Sequence, residues 1–138
     1  MTTCVDQGLR MELILASGES VPVPASLLYT SRDPFAVHIA FHVALGDPIL
    51  WVFSRDLLAR GLLRPSGRGD VRLWPTGAGR GAMLHLALSS PHGSAQLEAA
   101  LPVVTRWLER TYQLVPPGRE ADGLDLEPEL ARLLYGTG

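Results

Sequence analysis

Phe35-Ala36-Val37-His38-Ile39-Ala40-Phe41-His42-Val43-Ala44-Leu45-Gly46-Asp47-Pro48-Ile49-Leu50-Trp51-Val52-Phe53 is the stretch on which the reading of this chain turns. Large apolar residues occupy every second position from Phe35 to Leu45, with Ala or His between them. That alternation predicts a strand whose one face is buried by bulk. Gly46-Asp47-Pro48 supplies turn residues, and the continuously apolar Ile49 to Phe53 completes a hairpin. The period then changes: Leu57, Leu58, Leu62 and Leu63 fit a short helix that Pro65 closes. A core containing Phe35, Val37, Ile39, Phe41, Trp51 and Phe53 follows from this pattern.

Working outward, Leu9 to Ala16 reads as a first strand and Val21 to Tyr29 as its partner. Pro22 and Pro24 cannot donate to a ladder, so that partner is expected at an edge or starting after Pro24. Beyond the helix, Asp70 to Pro75, Ala82 to Leu88 and Ser94 to Ala99 read as strands, joined by glycine-rich and Ser-Pro turns. Val103, Val104, Trp107, Leu108 and Thr111 then share one face of a helix, adding Trp107 and Leu108 to the expected core. Asp125 can cap a last helix with Leu126, Leu130, Leu133 and Leu134 on one face. The segregation of strands and helices predicts an α+β fold with antiparallel pairing. The expected arrangement is two sheets of about four strands, a short helix after the first run and a C-terminal helix pair.

The chain has 138 residues and 46% hydrophobic content, which fits a single domain over 1–138, with 1–8 expected as a frayed N-terminus. No apolar run approaches the roughly 18 residues of a membrane span, and no secretory signal is visible. Cys4 is the sole cysteine, so a disulfide framework is excluded and a cytoplasmic location is expected.

Candidate chemistry is sparse. His38 and His42 have metal-ligand spacing for a helix, but on a strand they stand roughly 13 Å apart. Gly77-Ala78-Gly79-Arg80-Gly81-Ala82 matches a dinucleotide fingerprint by letter only, because too few residues follow it for a crossover helix. No metal, cofactor or catalytic residue is therefore assigned, and the chain is expected not to be an enzyme. Charge says more. Six Arg lie between Arg55 and Arg80 against two Asp, whereas seven acidic residues face four Arg from Glu98 onward. Arg55, Arg64, Arg68, Arg72 and Trp74 form a candidate partner or nucleic-acid surface, by phosphate contact and base stacking. The absence of Lys and the net charge of −2 favour instead that these Arg pair with the acidic C-terminal helices, within one domain or across a subunit boundary.

Trp51-Val52-Phe53-Ser54-Arg55-Asp56-Leu57-Leu58-Ala59-Arg60-Gly61-Leu62 and Pro65-Ser66-Gly67-Arg68-Gly69-Asp70-Val71-Arg72-Leu73-Trp74-Pro75 closely resemble the SsgA-like proteins of actinomycetes. Val21-Pro22-Val23-Pro24-Ala25, Asp33-Pro34-Phe35-Ala36-Val37-His38, Leu88-Ser89-Ser90-Pro91 and Val115-Pro116-Pro117-Gly118 also resemble that family, in the same order. The resemblance implies a regulator of sporulation and septum placement, recruited to the division septum. Its implied partners are the tubulin-like protein FtsZ and SsgA-like paralogues. It also implies a fold similar to the Whirly and mitochondrial RNA-binding group, assembled as a homotrimer. A closed oligomer is expected from the pattern too, since uncovered apolar strands leave edges open to uncontrolled pairing.

Overall fold

The structure is a computed structural model that describes residues 4–43 and 46–122. Seven strands make one antiparallel sheet: β1 (Cys4–Ile14), β2 (Ser20–Thr30), β3 (Ala36–Phe41), β4 (Ile49–Ser54), β5 (Val71–Thr76), β6 (Met83–Ser90) and β7 (Gly93–Ala100). Their spatial order is β4-β3-β2-β1-β7-β6-β5. Helix α1 (Arg55–Gly61) follows β4, and α2 (Leu101–Leu114) follows β7. The α+β class and the antiparallel pairing stand as expected.

The two expected sheets are one. β1 pairs with β2 along its whole length and, through Glu12, Leu13 and Ile14, with Glu98, Leu97 and Gln96 of β7. That short junction fuses both strand runs. The sheet curls so that residues from distant strands meet: Leu13, Phe41, Trp51, Leu88 and Leu97 line a single apolar hollow of about 140 Å³. Helix α1 packs against β3, β4 and β5 and so connects the two edges, while α2 lies across β1, β6 and β7.

One core results. Val37, Ile39, Phe41, Phe53, Trp107 and Leu108 are buried in it, with Met11, Leu27, Leu73 and Leu86, and Trp51 packs against it half-buried. Val104, Trp107, Leu108 and Thr111 form the buried face of α2, a spacing set by the 3.6-residue turn. The Trp107 indole N–H donates to the Val5 carbonyl at 3.2 Å.

Four expectations need correction. Phe35 is not in the core: it precedes β3 and is 52% exposed, its carbonyl accepting from the Arg55 backbone N–H at 2.8 Å. β3 stops at Phe41 rather than running to residue 45, because Ala25 is its last partner and the next β2 residue, Pro24, has no N–H to offer. One further bond, His42 N–H to the Pro24 carbonyl at 2.9 Å, ends the ladder. β2 is an interior strand and includes both prolines, which pair with Glu12 and Arg10 of β1 and fall at and beyond the point where the β3 ladder ends. Residues 4–8, expected to be frayed, belong to β1 and pair with Thr30 back to Ser26. The helix expected after Asp125 lies outside the described residues.

Candidate functional site: an arginine groove and a buried arginine

Helix α1 begins where Ser54 Oγ accepts the Leu57 backbone N–H at 2.9 Å, a side-chain N-cap. It ends against β5 by close approach. A Cβ on Gly61 would lie 2.5 Å from the Cβ of Leu73, so only glycine lets the helix touch the strand there. The chain then turns back along β5. Ser66 N–H donates to the Leu73 carbonyl at 2.8 Å and Leu73 N–H donates to the Ser66 carbonyl at 2.9 Å. Gly67 has φ +94° and presses against β5 so closely that an added Cβ would stand 2.3 Å from the Val71 carbonyl oxygen.

This clamped loop makes one wall of an open groove of about 710 Å³. Arg60, Arg64, Arg68, Arg72 and Trp74 line it, so the structure brings together four of the five residues singled out from sequence. Arg60 was not among them, although its spacing of four from Arg64 places both on one side of a helical turn. Arg72 and Trp74 flank the fully buried Leu73 and therefore project from the outer face of β5. Trp74 stacks on His85 of β6 with ring centres 5.4 Å apart and planes 4° from parallel. The His85 ring also meets Thr76 Oγ1 at 2.7 Å and Glu98 Oε1 at 3.5 Å. Arg60 pairs with Asp56 one turn back at 3.1 Å, whereas Arg64, Arg68 and Arg72 enter no ion pair among the described residues.

Arg55 is not part of that surface. It is 1% exposed, and its guanidinium is used up inside the fold. Nη1 donates to the carbonyls of Val115 at 2.7 Å and Thr111 at 3.2 Å, and Nη2 meets Glu120 Oε2 at 3.0 Å. The same group lies 4.8 Å from the ring centres of both Tyr29 and Tyr112. Burial raises both phenol pKa values and the Arg55 charge partly offsets this. Glu120 is held below the usual carboxylate range by its own backbone N–H first and by Arg55 second. A cation at the start of a helix opposes the helix dipole, which was the sequence signal that Arg55 had another task. Of the Arg expected to pair with the acidic C-terminal helices, Arg55 meets Glu120, which lies in a turn after α2 and not on a helix; the segment beyond residue 122 lies outside the described residues.

Among the described residues no three His, Cys, Asp or Glu side chains converge as metal ligands. No helix among them is long and apolar enough to cross a membrane.

Residues 23–120 match the protein family described as Streptomyces sporulation and cell division protein, SsgA. The chain belongs to the SsgA family. Sporulation-specific cell division protein SsgB of Streptomyces coelicolor is 46% identical over 134 residues, covering 97% of this chain and 98% of that protein. SsgB of Thermobifida fusca is 43% identical over 132 residues, with 96% of each chain covered. The similarity extends to solved folds. One structure, from work in which mutations in SsgB correlate to longitudinal cell division during sporulation of Streptomyces coelicolor, superposes with a TM-score of 0.83 at 46% identity. It covers 88% of this chain and 95% of the other. The crystal structure of an SsgA-like sporulation-specific cell division protein from Thermobifida fusca YX-ER1 gives the same TM-score at 40% identity, over 95% and 96% of the two chains. The SsgA family is thus one of sporulation and cell division proteins, and the groove and the buried arginine belong to a member of it.

Proposed function

We propose that this chain is a non-enzymatic regulator of sporulation-specific division, recruiting or positioning FtsZ at the septum through protein contacts. The observation that carries the reading is the near full-length likeness to SsgB proteins of several actinomycetes. The surface agrees with a contact-making role. Leu50 and Val52 of edge strand β4 are 54% and 48% exposed, next to a backbone edge with no partner strand among the described residues. Docking of this edge on a different surface of the next copy, repeated around a three-fold axis, would give a homotrimer that presents several copies of each surface to a polymer-forming partner. The test is co-sedimentation of purified protein with FtsZ, with and without an SsgA-like paralogue, alongside deletion of the gene. Absence of any association together with normal septation sinks this reading.

The second reading is a Whirly-like single-strand binder, favoured by the convergence of Arg64, Arg68, Arg72 and Trp74 on one groove. Each phosphate neutralised would then contribute about −0.7 to the slope of log affinity against log salt. Fluorescent oligonucleotides that fail to bind at low ionic strength remove it.

A further inference from the structure

We infer that the Arg60–Trp74 groove is a docking site for a short, carboxylate-rich peptide segment of a protein partner, an assignment that rests on the contact-making function proposed above. Four Arg line one concavity; Arg60 is paired with Asp56, and the other three leave an excess of positive charge whose field a concave site focuses on an incoming anion. The fold holds them there. Gly61 and Gly67 permit approaches to β5 that no side chain would allow, the Ser66–Leu73 pair of hydrogen bonds fastens the loop, and Ser66 Oγ donates to the Arg64 carbonyl at 2.9 Å. Arg68 stands between two glycines of positive φ, Gly67 at 94° and Gly69 at 76°, and so projects from a loop tip with a defined turn. The backbone from which the cluster projects is thus set before a ligand arrives, so binding orders the arginine side chains and not the loop.

The choice of a peptide over a nucleic acid follows from what borders the groove. A single strand needs a positive track that continues with its backbone and open aromatic faces for its bases. Here the track ends at Trp74. The cross-strand row running on from Trp74 passes through His85, Glu98 and Glu12, so two carboxylates lie along the path a phosphate backbone would take over the sheet. One face of Trp74 is already stacked on His85. A short peptide needs only the local cluster, and the planar guanidinium fork matches a carboxylate in two-point contact. Leu63, next to Arg64 in the chain and outside the groove lining, is 76% exposed, and Trp74 and Pro65 supply apolar surface in the groove itself. The segment that fits best therefore carries several Asp or Glu residues around one large apolar side chain.

The test uses the full chain and three fluorescein-labelled probes: Gly-Asp-Glu-Leu-Asp-Glu-Gly, the same peptide with Asn and Gln replacing the acids, and oligo-dT of matching length. Fluorescence anisotropy at low ionic strength should show the acidic peptide bound, the amide peptide unbound, and dT weaker than the acidic peptide. The double variant Arg64→Gln/Arg68→Gln should weaken the acidic peptide by roughly tenfold or more. Arg106→Gln on α2, remote in sequence and exposed, should leave it unchanged. Equal binding by the double variant, no binding by the wild type, or tighter binding of dT each overturns the assignment. Co-sedimentation of the same proteins with FtsZ separates the two readings. Wild type and double variant associating equally with FtsZ removes the groove and leaves the recruitment reading intact. Peptide binding without any FtsZ association does the reverse.

Discussion

Arg55 at the start of α1 and Glu120 beyond α2 are 65 residues apart in sequence and 3.0 Å apart in space. Their contact is the visible end of a larger arrangement, in which one guanidinium satisfies the last-turn carbonyl of Thr111, the carbonyl of Val115 and two tyrosine faces. The last carbonyls of a helix carry the negative end of its dipole, so a buried cation there is well matched electrostatically. Arg55 thereby ties the helix between the two sheet edges to the segment that leaves the second helix.

Removing that guanidinium takes a partner from the Val115 carbonyl and the Glu120 carboxylate and leaves the Thr111 carbonyl only its bond from Val115 N–H. Arg55→Ala should cost about 3–5 kcal/mol of stability, the range for breaking a buried pair by deleting one partner. Arg55→Lys should recover only part of it, because an ammonium cannot reach three acceptors while lying flat between two rings. Urea unfolding of the three proteins measures this. An Arg55→Lys protein as stable as the wild type would show that charge alone matters.

Glu120 gives the pair a pH signature. Its carboxyl is depressed in the folded chain, so its contribution is complete above the unfolded carboxylate pKa of about 4.3 and is lost as pH falls through the lower folded value. Wild type should therefore exceed Glu120→Gln in stability near neutral pH, and the two should converge in acid. Midpoints from urea titrations across that window check the sign; a gap that widens in acid contradicts the pairing.

What the sequence made legible follows local rules. The β3–β4 hairpin, the Ser54-capped helix and the buried stripe of α2 each came from periodicity within one segment. The single sheet was hidden because its junction is three residues of β1 meeting three of β7, a pairing of distant segments that no local pattern encodes. The length of β3 was misread for a related reason: alternation continued in the sequence after the partner strand had run into Pro24. Phe35 shares the alternation at the opposite end but precedes the first β3 residue, Ala36. The arginine groove was half legible. Charge density pointed to Arg64, Arg68 and Arg72, but only the fold separates them from Arg55, which shares their chemistry and none of their exposure.

The edge of β4 makes a prediction about assembly. Leu50 and Val52 project from the outer face of a strand that, among the described residues, has a partner on one side only, with Ala40 and His38 opposite them. A charge at such an edge is a natural device against pairing. Leu50→Lys/Val52→Lys should therefore convert the proposed trimer to monomer while the folded core, which these side chains do not enter, persists. Sedimentation at micromolar protein reads the state and circular dichroism the fold. A wild type that is already a monomer at every concentration removes the proposed trimer.

Gly67 links the fold to the groove, so its substitution should act on both. Gly67→Ala places a methyl 2.3 Å from the Val71 carbonyl oxygen at a φ of +94°, a conformation that disfavours any L side chain. The strain should cost about 1–3 kcal/mol, or be relieved by lifting the loop off β5. Either way the Ser66–Leu73 hydrogen bonds weaken and Arg64 and Arg68 lose their fixed separation from Arg72. Gly69→Ala serves as the comparison, since its φ of +76° carries backbone strain but its Cβ would meet nothing within 4 Å. Amide hydrogen exchange at Ser66 and Leu73 should accelerate strongly in Gly67→Ala and less in Gly69→Ala. Equal exchange in the two variants would mean that positive φ, rather than the close approach to Val71, holds the loop in place.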